Sequence, residues 1–439
     1  MKKFSFLVLI ICLATNVFAQ TEPANYKNAL NRFIRFYNTN KPDSISVHFS
    51  PEMKAALPAD QFKSTTTQLR TQLGDIVTTD FVKIDGGVAL YKATFKNAVF
   101  LLNIGLNAKD QYTGLLLKPY DATATTAPAA PAAPAETAFA MDPSITETPI
   151  TVKNLAGSIS GTLAIPKNAT GKVPVVLIIA GSGPTDRDGN SAKNGLNGNT
   201  YKMIANELGK NGIASLRYDK RLVGQSVSST TETQLRFEDY VEDAVNLINF
   251  LNDDERFSRI IIFGHSEGSL VGILSSIDEP VKGFISAEGA GDSADNILTE
   301  QMKSQPTHIS EGFKRMLDSL KKGKTTDNID PSLYFIARPG IQKYLMSWFR
   351  YNPARAIRQL KIPILIVHGT TDLQVKVTDA EKLKKGKSDA TLDIIAEMNH
   401  ILKEAPADKD KNLATYTDPN LPLKPEFVKA LITFVKHVR

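Results

Sequence analysis

From Ala24 to Asn38, apolar side chains at Tyr26, Leu30, Phe33, Ile34 and Tyr37 recur at the spacing of a helix with one buried face. A second helical pattern covers Ala59 to Leu73. The period then shortens to that of strands at Asp75–Lys83, Val88–Phe95, Ala98–Leu106 and Tyr112–Leu117, split by Asp85-Gly86-Gly87 and by Asn107–Asp110. Helices followed by an antiparallel meander predict a small α+β domain over residues 22–119. His48 is its only histidine, and nothing in it has catalytic spacing. Residues 120–143, with DATATTAPAAPAAPAETAFAM at their centre, read as an Ala/Pro/Thr-rich linker. Such side chains bury too little apolar surface to order a core.

Residues 144–439 alternate differently. Glu147–Lys153 and Ser158–Ile165 look like a hairpin, and Val173–Ile179 is a continuous apolar run, the mark of a strand buried on both faces. Helical patterns at Tyr201–Lys210 and Tyr240–Leu251 alternate with strands at Ile213–Arg217 and Ile260–Phe263. Val281–Ala287, Ile364–Val367 and Leu392–Ile395 add strands, and Glu426–Val438 adds a closing helix. The pattern predicts an α/β domain, a mostly parallel, doubly wound sheet, with sites beyond the strand carboxyl ends. About residues 292–358 the alternation gives way to helices and predicts a cap. Its two apolar stripes, Phe313/Met316/Leu317/Leu320 and Ile341/Tyr344/Leu345/Trp348/Phe349, read as packing faces rather than a substrate cradle.

Composition changes this picture only at the start of the chain. The 439 residues carry a formal +6, and removing Lys2 and Lys3 leaves about +4, too mild and too dispersed for a nucleic-acid partner. Residues 1–19 have a basic start, an apolar stretch from Phe4 to Leu13 and the small-residue ending Val17-Phe18-Ala19. They read as a secretory signal, with no stable membrane insertion after cleavage and a periplasmic or extracellular destination. Cys12, the one cysteine, falls inside it, so no disulfide, thiol catalysis or thiolate metal site is expected in the mature chain. No cofactor or metal is expected either.

The chemistry gathers around Gly264-His265-Ser266-Glu267-Gly268. An apolar strand runs into G-x-S-x-G and a small-residue helical pattern leaves it, as a nucleophile elbow requires. Ser266 is then the candidate nucleophile, and the Glu267 N–H is half of an oxyanion hole. Glycines in Ala180-Gly181-Ser182-Gly183-Pro184, after the first parallel strand, point to the Ser182 N–H as the other half, with Gly183 second. A serine hydroxyl needs a base, and the base needs an orienting acid. Asp372 follows the strand Ile364–Val367, and His400 follows Leu392–Ile395, which gives the order Ser, Asp, His. Asp372 as a plain turn residue and His400 as a surface histidine are the alternatives. Arg187 and its neighbouring aspartates are expected to brace their loop by ion pairing.

The GSGPTDRDGN loop, Arg217-Tyr218-Asp219-Lys220-Arg221, GHSEG, HGTTD and the His400 loop together resemble the α/β-hydrolase superfamily, and most of all its EstD-like esterase branch. Relatives of that kind often carry glycine where this chain has Leu222. The first domain resembles a small domain of unassigned function often found ahead of secreted hydrolases. The resemblance implies an α/β-hydrolase fold with a helical cap, and a serine carboxylesterase that hydrolyses short-chain, small-molecule esters through an acyl-enzyme. Two other readings stay open. One is a peptidase or acylaminoacyl hydrolase on the same triad. The other is a protein whose first domain binds a cell-envelope ligand, with hydrolysis secondary.

Overall fold

The computed structural model describes residues 21–85, 87–96, 99–119, 139–191, 196–303, 305, 307–326, 329 and 333–439. The secretory signal, Cys12 and most of the linker lie outside these residues. The described chain forms two compact units, one within residues 21–119 and one within 139–439.

In the first unit, helices Ala24–Asn38 and Ala59–Leu73 accompany a four-stranded antiparallel sheet of β1 (Ile76–Asp85), β2 (Val88–Phe95), β3 (Val99–Leu106) and β4 (Tyr112–Pro119), in that order. Burial alternates along β2, so Ala89, Tyr91, Ala93 and Phe95 meet Leu30, Phe33 and Tyr37 in one core. The Tyr112 hydroxyl donates to the Ala29 carbonyl at 2.7 Å, tying the last strand to the first helix. Two short helices, Asp43–Ser46 and Pro51–Ala56, are additions to the predicted elements. The second has a local signal: Ser50 accepts the Met53 N–H, and Pro51 occupies the first turn, where no N–H is needed.

The second unit is built on a nine-stranded sheet. Its strands are β5 (Ile145–Asn154), β6 (Gly157–Pro166), β7 (Val173–Ile179), β8 (Ala214–Tyr218), β9 (Val227–Ser228), β10 (Phe257–His265), β11 (Val281–Ala287), β12 (Ile364–Gly369) and β13 (Thr391–Ile395). The order is β13-β12-β11-β10-β7-β8-β6-β5, with the two-residue β9 beside β6. The six strands from β13 to β8 in that order pair in parallel, and the β5–β6 hairpin closes one edge antiparallel. Val175, Leu177 and Ile179 of β7 face one core while Val176 and Ile178 face another. Helices Phe237–Asn252 and Glu267–Ser275 cover the first face, and Thr200–Lys210 and Pro425–His437 the second. From β7 the chain steps outward to β8 and then returns to β10 on the other side. The ends of β7 and β10 therefore flank the point where the winding reverses, which leaves a crevice there.

Helices Ala294–Met302, Thr307–Lys321, Pro339–Trp348 and Pro353–Ala356 lie between β11 and β12, in the segment read as a cap. Its first apolar stripe, Phe313, Met316, Leu317 and Leu320, is buried in the sheet-side core. At the other end of the linker reading there is a difference. Phe139 packs against one core, Met141 against Ile145, and the Asp142 N–H donates to Asn206 Oδ1 at 2.7 Å. Residues 139–143 thus belong to the second unit, because two apolar side chains are enough to anchor the end of a polar segment.

Candidate active site

β10 ends at His265, and the helix Glu267–Ser275 begins two residues later. Between them Ser266 has φ 55° and ψ −120°, a conformation that costs a residue with a side chain on the order of 1–3 kcal/mol. The flanking glycines are steric requirements. A Cβ on Gly264 would lie 2.3 Å from the Gly268 carbonyl oxygen, and one on Gly268 would lie 2.3 Å from that of Ile179. The turn is therefore tight because two backbones, not flexible side chains, close on it. Ser266 is half-buried and lines a cavity of about 640 Å³, together with Ser182, Gly183 and Glu267. Glu267 begins its helix, so its N–H has no acceptor within the helix. Gly181 sits against the elbow: a Cβ there would be 3.2 Å from Ser266 Cβ.

Asp372 and His400 come together from the ends of β12 and β13. His400 Nδ1 is 2.7 Å from Asp372 Oδ2, and the Gln374 and Val375 N–H groups donate to Oδ1 at 2.6 and 3.0 Å. Burial pushes the Asp372 carboxyl up, but the charge and hydrogen bond of His400 outweigh it and hold the group at about 2. The His400 ring stands beside the elbow, its centroid 5.0 Å from that of His265. No hydrogen bond joins Ser266 to His400 among the described residues. In serine enzymes this contact often tightens only when substrate is bound.

His265, read from sequence only as an elbow residue, has a larger part. Its Nε2 lies 2.7 Å from the His400 carbonyl oxygen, which can only accept, so Nε2 carries the proton. Nδ1 then accepts from the Tyr201 hydroxyl at 2.8 Å, and the Tyr201 oxygen accepts the Gly181 N–H at 3.0 Å. Burial holds the His265 imidazole down at about 3, so it stays neutral and this direction of donation is stable. One chain of three hydrogen bonds thus joins the β7 loop, the elbow and the His400 loop. Tyr201→Phe would leave the Gly181 N–H and His265 Nδ1 unpaired, at a cost of about 1–3 kcal/mol each. The expected result is a melting temperature lower by roughly 4 °C or more and a kcat/KM about tenfold lower. Unchanged kinetics would mean that the chain does not position the loops.

A second network ties the pocket floor to the cap. Lys220 Nζ donates to Glu267 Oε1 and to the Gly181 carbonyl, both at 2.9 Å, and lies 4.3 Å from the centroid of the Tyr240 ring. The Tyr344 hydroxyl donates to Glu267 Oε2 at 2.5 Å. Ile341, Tyr344, Leu345 and Trp348 line the cavity, so the second apolar stripe of the cap forms pocket wall as well as packing. Arg187 braces its loop as expected, donating to Asp219 Oδ2 at 2.6 Å. Leu222 has φ 66°, the left-handed backbone that glycine adopts freely.

Residues 195–334 match the family described as "Serine aminopeptidase, S33", and residues 31–115 match a protein family of unknown function, DUF3887. Esterase EstD of Thermotoga maritima is 26% identical over 384 residues, which cover 84% of this chain and 86% of that protein. Among solved structures, Est1E from Butyrivibrio proteoclasticus covers 66% of this chain and 98% of its own at 17% identity, with a TM-score of 0.44. The hypothetical protein PA2218 from Pseudomonas aeruginosa covers 69% and 97% at 14% identity, with a TM-score of 0.49. The sheet order and the strand–turn–helix around Ser266 are those of an α/β-hydrolase fold.

One further group of the hydrolase bears on metals. Among the described residues, Glu288, His368 and Asp372 place one donor atom each within 4.8 Å of one another. Asp372 already accepts three hydrogen bonds as an anion, and His368 Nε2 lies 3.1 Å from the Val375 carbonyl. The trio fits a hydrogen-bonded support for Asp372 better than an ion site. Glu288 and Tyr201 had no motif to announce them, and Lys220 lay in the Arg217–Arg221 stretch with no role assigned to it. The nearest signal was the apolar strand preceding Glu288, since a charged residue directly after a buried strand sits at the site-facing edge.

Proposed function

We propose that the hydrolase is a serine carboxylesterase acting on short-chain carboxylic esters by an acyl-enzyme route. The observation that carries this reading is the strained elbow, which presents Ser266 to a cavity walled by oxyanion-loop and cap residues. His400 Nε2 takes the Ser266 proton as Oγ attacks the ester carbonyl. The Ser182 and Glu267 N–H groups receive the oxyanion, and Asp372 stabilises the imidazolium through Nδ1. The proton passes to the leaving alcohol, and water repeats the sequence to release the acid. Ester hydrolysis is also what the name of Esterase EstD describes.

The match to a family described as serine aminopeptidase favours amides as the second reading. p-Nitrophenyl esters of increasing acyl length, run beside peptide anilides, separate the two. Ester turnover that is greatest for short chains, with anilides left uncut, is expected. Anilide cleavage at a comparable kcat/KM overturns the esterase reading, and a rate that climbs steadily with acyl length overturns the short-chain part.

We also place the protein outside the cytoplasm, periplasmic or extracellular, on the signal pattern of residues 1–19. No helix among the described residues is long and apolar enough to cross a membrane. The elbow, its loops and the cavity wall all belong to the second unit, so we propose that the first unit is separate from catalysis, with a cell-envelope ligand as the alternative role for it. A fragment beginning at Ala135, which keeps Phe139 and Met141, is expected to hydrolyse a short ester within about twofold of the full chain. A tenfold loss of kcat/KM, about 1.4 kcal/mol, in a fragment shown to be folded by circular dichroism would make the first unit part of the catalytic machinery.

A further inference from the structure

Glu288 follows β11 directly, with a left-handed backbone (φ 50°) and no solvent exposure. Its Oε1 accepts the Gly369 N–H at 2.8 Å. Its Oε2 faces His368 Nδ1 at 3.2 Å, and the Asp372 carboxylate stands close enough to be the competing acceptor for a proton on Glu288. On the far side of the ring, His368 Nε2 lies 3.1 Å from the Val375 carbonyl oxygen. That oxygen only accepts, so Nε2 carries a proton, and a neutral imidazole leaves Nδ1 as a bare acceptor. A carboxylate oxygen set against it would bring two lone pairs together in a buried site. One proton removes the conflict.

We propose that Glu288 is a positioning residue of the hydrolase: a carboxylic acid that keeps its proton at neutral pH, donates it to His368 Nδ1 and pins the turn carrying Asp372 to the end of β11. The assignment rests on the reading of Asp372 as the acid of the triad. The surroundings support it. Asp372 is an anion with three hydrogen bonds, and a second carboxylate beside it would meet like charge in a low-dielectric site. The other titratable groups around the pair are His400, Tyr416 and, beyond His368, Asp379. None of them is a lysine or arginine that would favour a second anion. Burial, reinforced by Asp372, pushes Glu288 well above the ordinary carboxyl range, and burial keeps His368 below the ordinary imidazole value. With Glu288 neutral, Asp372 is the one carboxylate that His400 Nδ1 meets, and the Gly369 bond keeps that carboxylate in line.

The competing arrangement is an ionised pair, glutamate against imidazolium. An infrared difference spectrum of the full chain, wild type minus E288Q at neutral pH, decides between them. The expected result is the carbonyl band of a buried, protonated carboxylic acid, lost in E288Q; no such band overturns the proposal. Stability supplies a second readout. A glutamic acid protonated in the fold but ionised in the unfolded chain makes stability fall as pH rises above its ordinary value of 4.5. Glutamine, neutral in both states, suffers no such fall. The melting temperature of E288Q minus that of wild type should therefore grow from about pH 5 to about pH 8, and a gap that shrinks overturns the proposal. In kinetics, E288A leaves His368 Nδ1 and the Gly369 N–H unpaired, so kcat should drop about tenfold or more at a KM within about twofold. E288Q should restore kcat to within about threefold of wild type, and an E288Q as impaired as E288A counts against a neutral acid. Should D372N keep its rate, the triad reading falls, while the infrared band and the pH dependence still decide whether Glu288 carries the proton.

Discussion

Ser266→Ala is expected to remove nearly all ester hydrolysis, with a loss on the order of 10³-fold or more in kcat. The hydroxyl is the group the elbow exists to present. Ser266 occupies a backbone conformation that disfavours any side chain, held by Gly264 and Gly268 against carbonyl oxygens that leave no room for a Cβ. Alanine retains the Cβ and the backbone, so the turn and the cavity survive while the attacking oxygen disappears. What remains is binding and the N–H groups of Ser182 and Glu267, which can polarise a carbonyl but cannot carry an acyl group. Turnover of p-nitrophenyl acetate by purified S266A measures this directly. A residual rate above about a tenth of wild type would remove Ser266 from the mechanism. A fluorophosphonate should label the wild-type chain once, at Ser266, and S266A not at all.

Asp372→Asn should lower acylation by about 10³- to 10⁴-fold, because asparagine presents either an amide N–H or a neutral oxygen to His400 Nδ1. Neither stabilises imidazolium, and the ring is released from the tautomer in which Nε2 can act as base. Asp379→Asn is the matched comparison. Asp379 is also buried, but its carboxyl accepts the Gly291 N–H at 3.2 Å and meets Lys382 at 3.4 Å, away from His400. Its removal should cost stability and little acylation rate. Equal losses in the two variants, or the reverse order, would mean that the acid is misassigned. The pH dependence of stability adds a sign. The Asp372 carboxyl is held at about 2 in the fold, below its ordinary 3.8. Its contribution is therefore complete above pH 3.8 and disappears as pH falls through about 2. The stability gap between wild type and D372N should close in strong acid and stay open at neutral pH.

The same residues mark where reading along the chain succeeds. Val173–Ile179 and Val281–Ala287 match strands residue for residue, as do the helices Ala24–Asn38 and Ala59–Leu73. Boundaries move where a side chain caps an end. The helix read from Tyr240 starts at Phe237, because Asp239 accepts the Arg236 N–H and Ser347 of the cap accepts the Phe237 N–H. Ser347 lies 110 residues from the N–H it receives, and no local period announces such a partner.

The chain by itself determined the strand–turn–helix around Ser266, the two-faced parallel sheet, the order of Ser266, Asp372 and His400, and the cap between β11 and β12. Each of these is set by neighbours in sequence: a hydrophobic period averaged over many residues, or a glycine two positions from a serine. Tertiary structure alone decided which isolated polar groups meet. The Tyr201 hydroxyl finds His265 64 positions away, and His265 finds the His400 carbonyl 135 positions away. Lys220 reaches Glu267, and the Tyr344 hydroxyl on the cap reaches the same carboxylate. Glu288 is one carboxylate among many until the end of β11 sets it beside His368 and Gly369. A buried proton or hydrogen bond is fixed by distances of about 3 Å, and separation along the chain carries no information about distance on that scale once the sheet has brought its strand ends together.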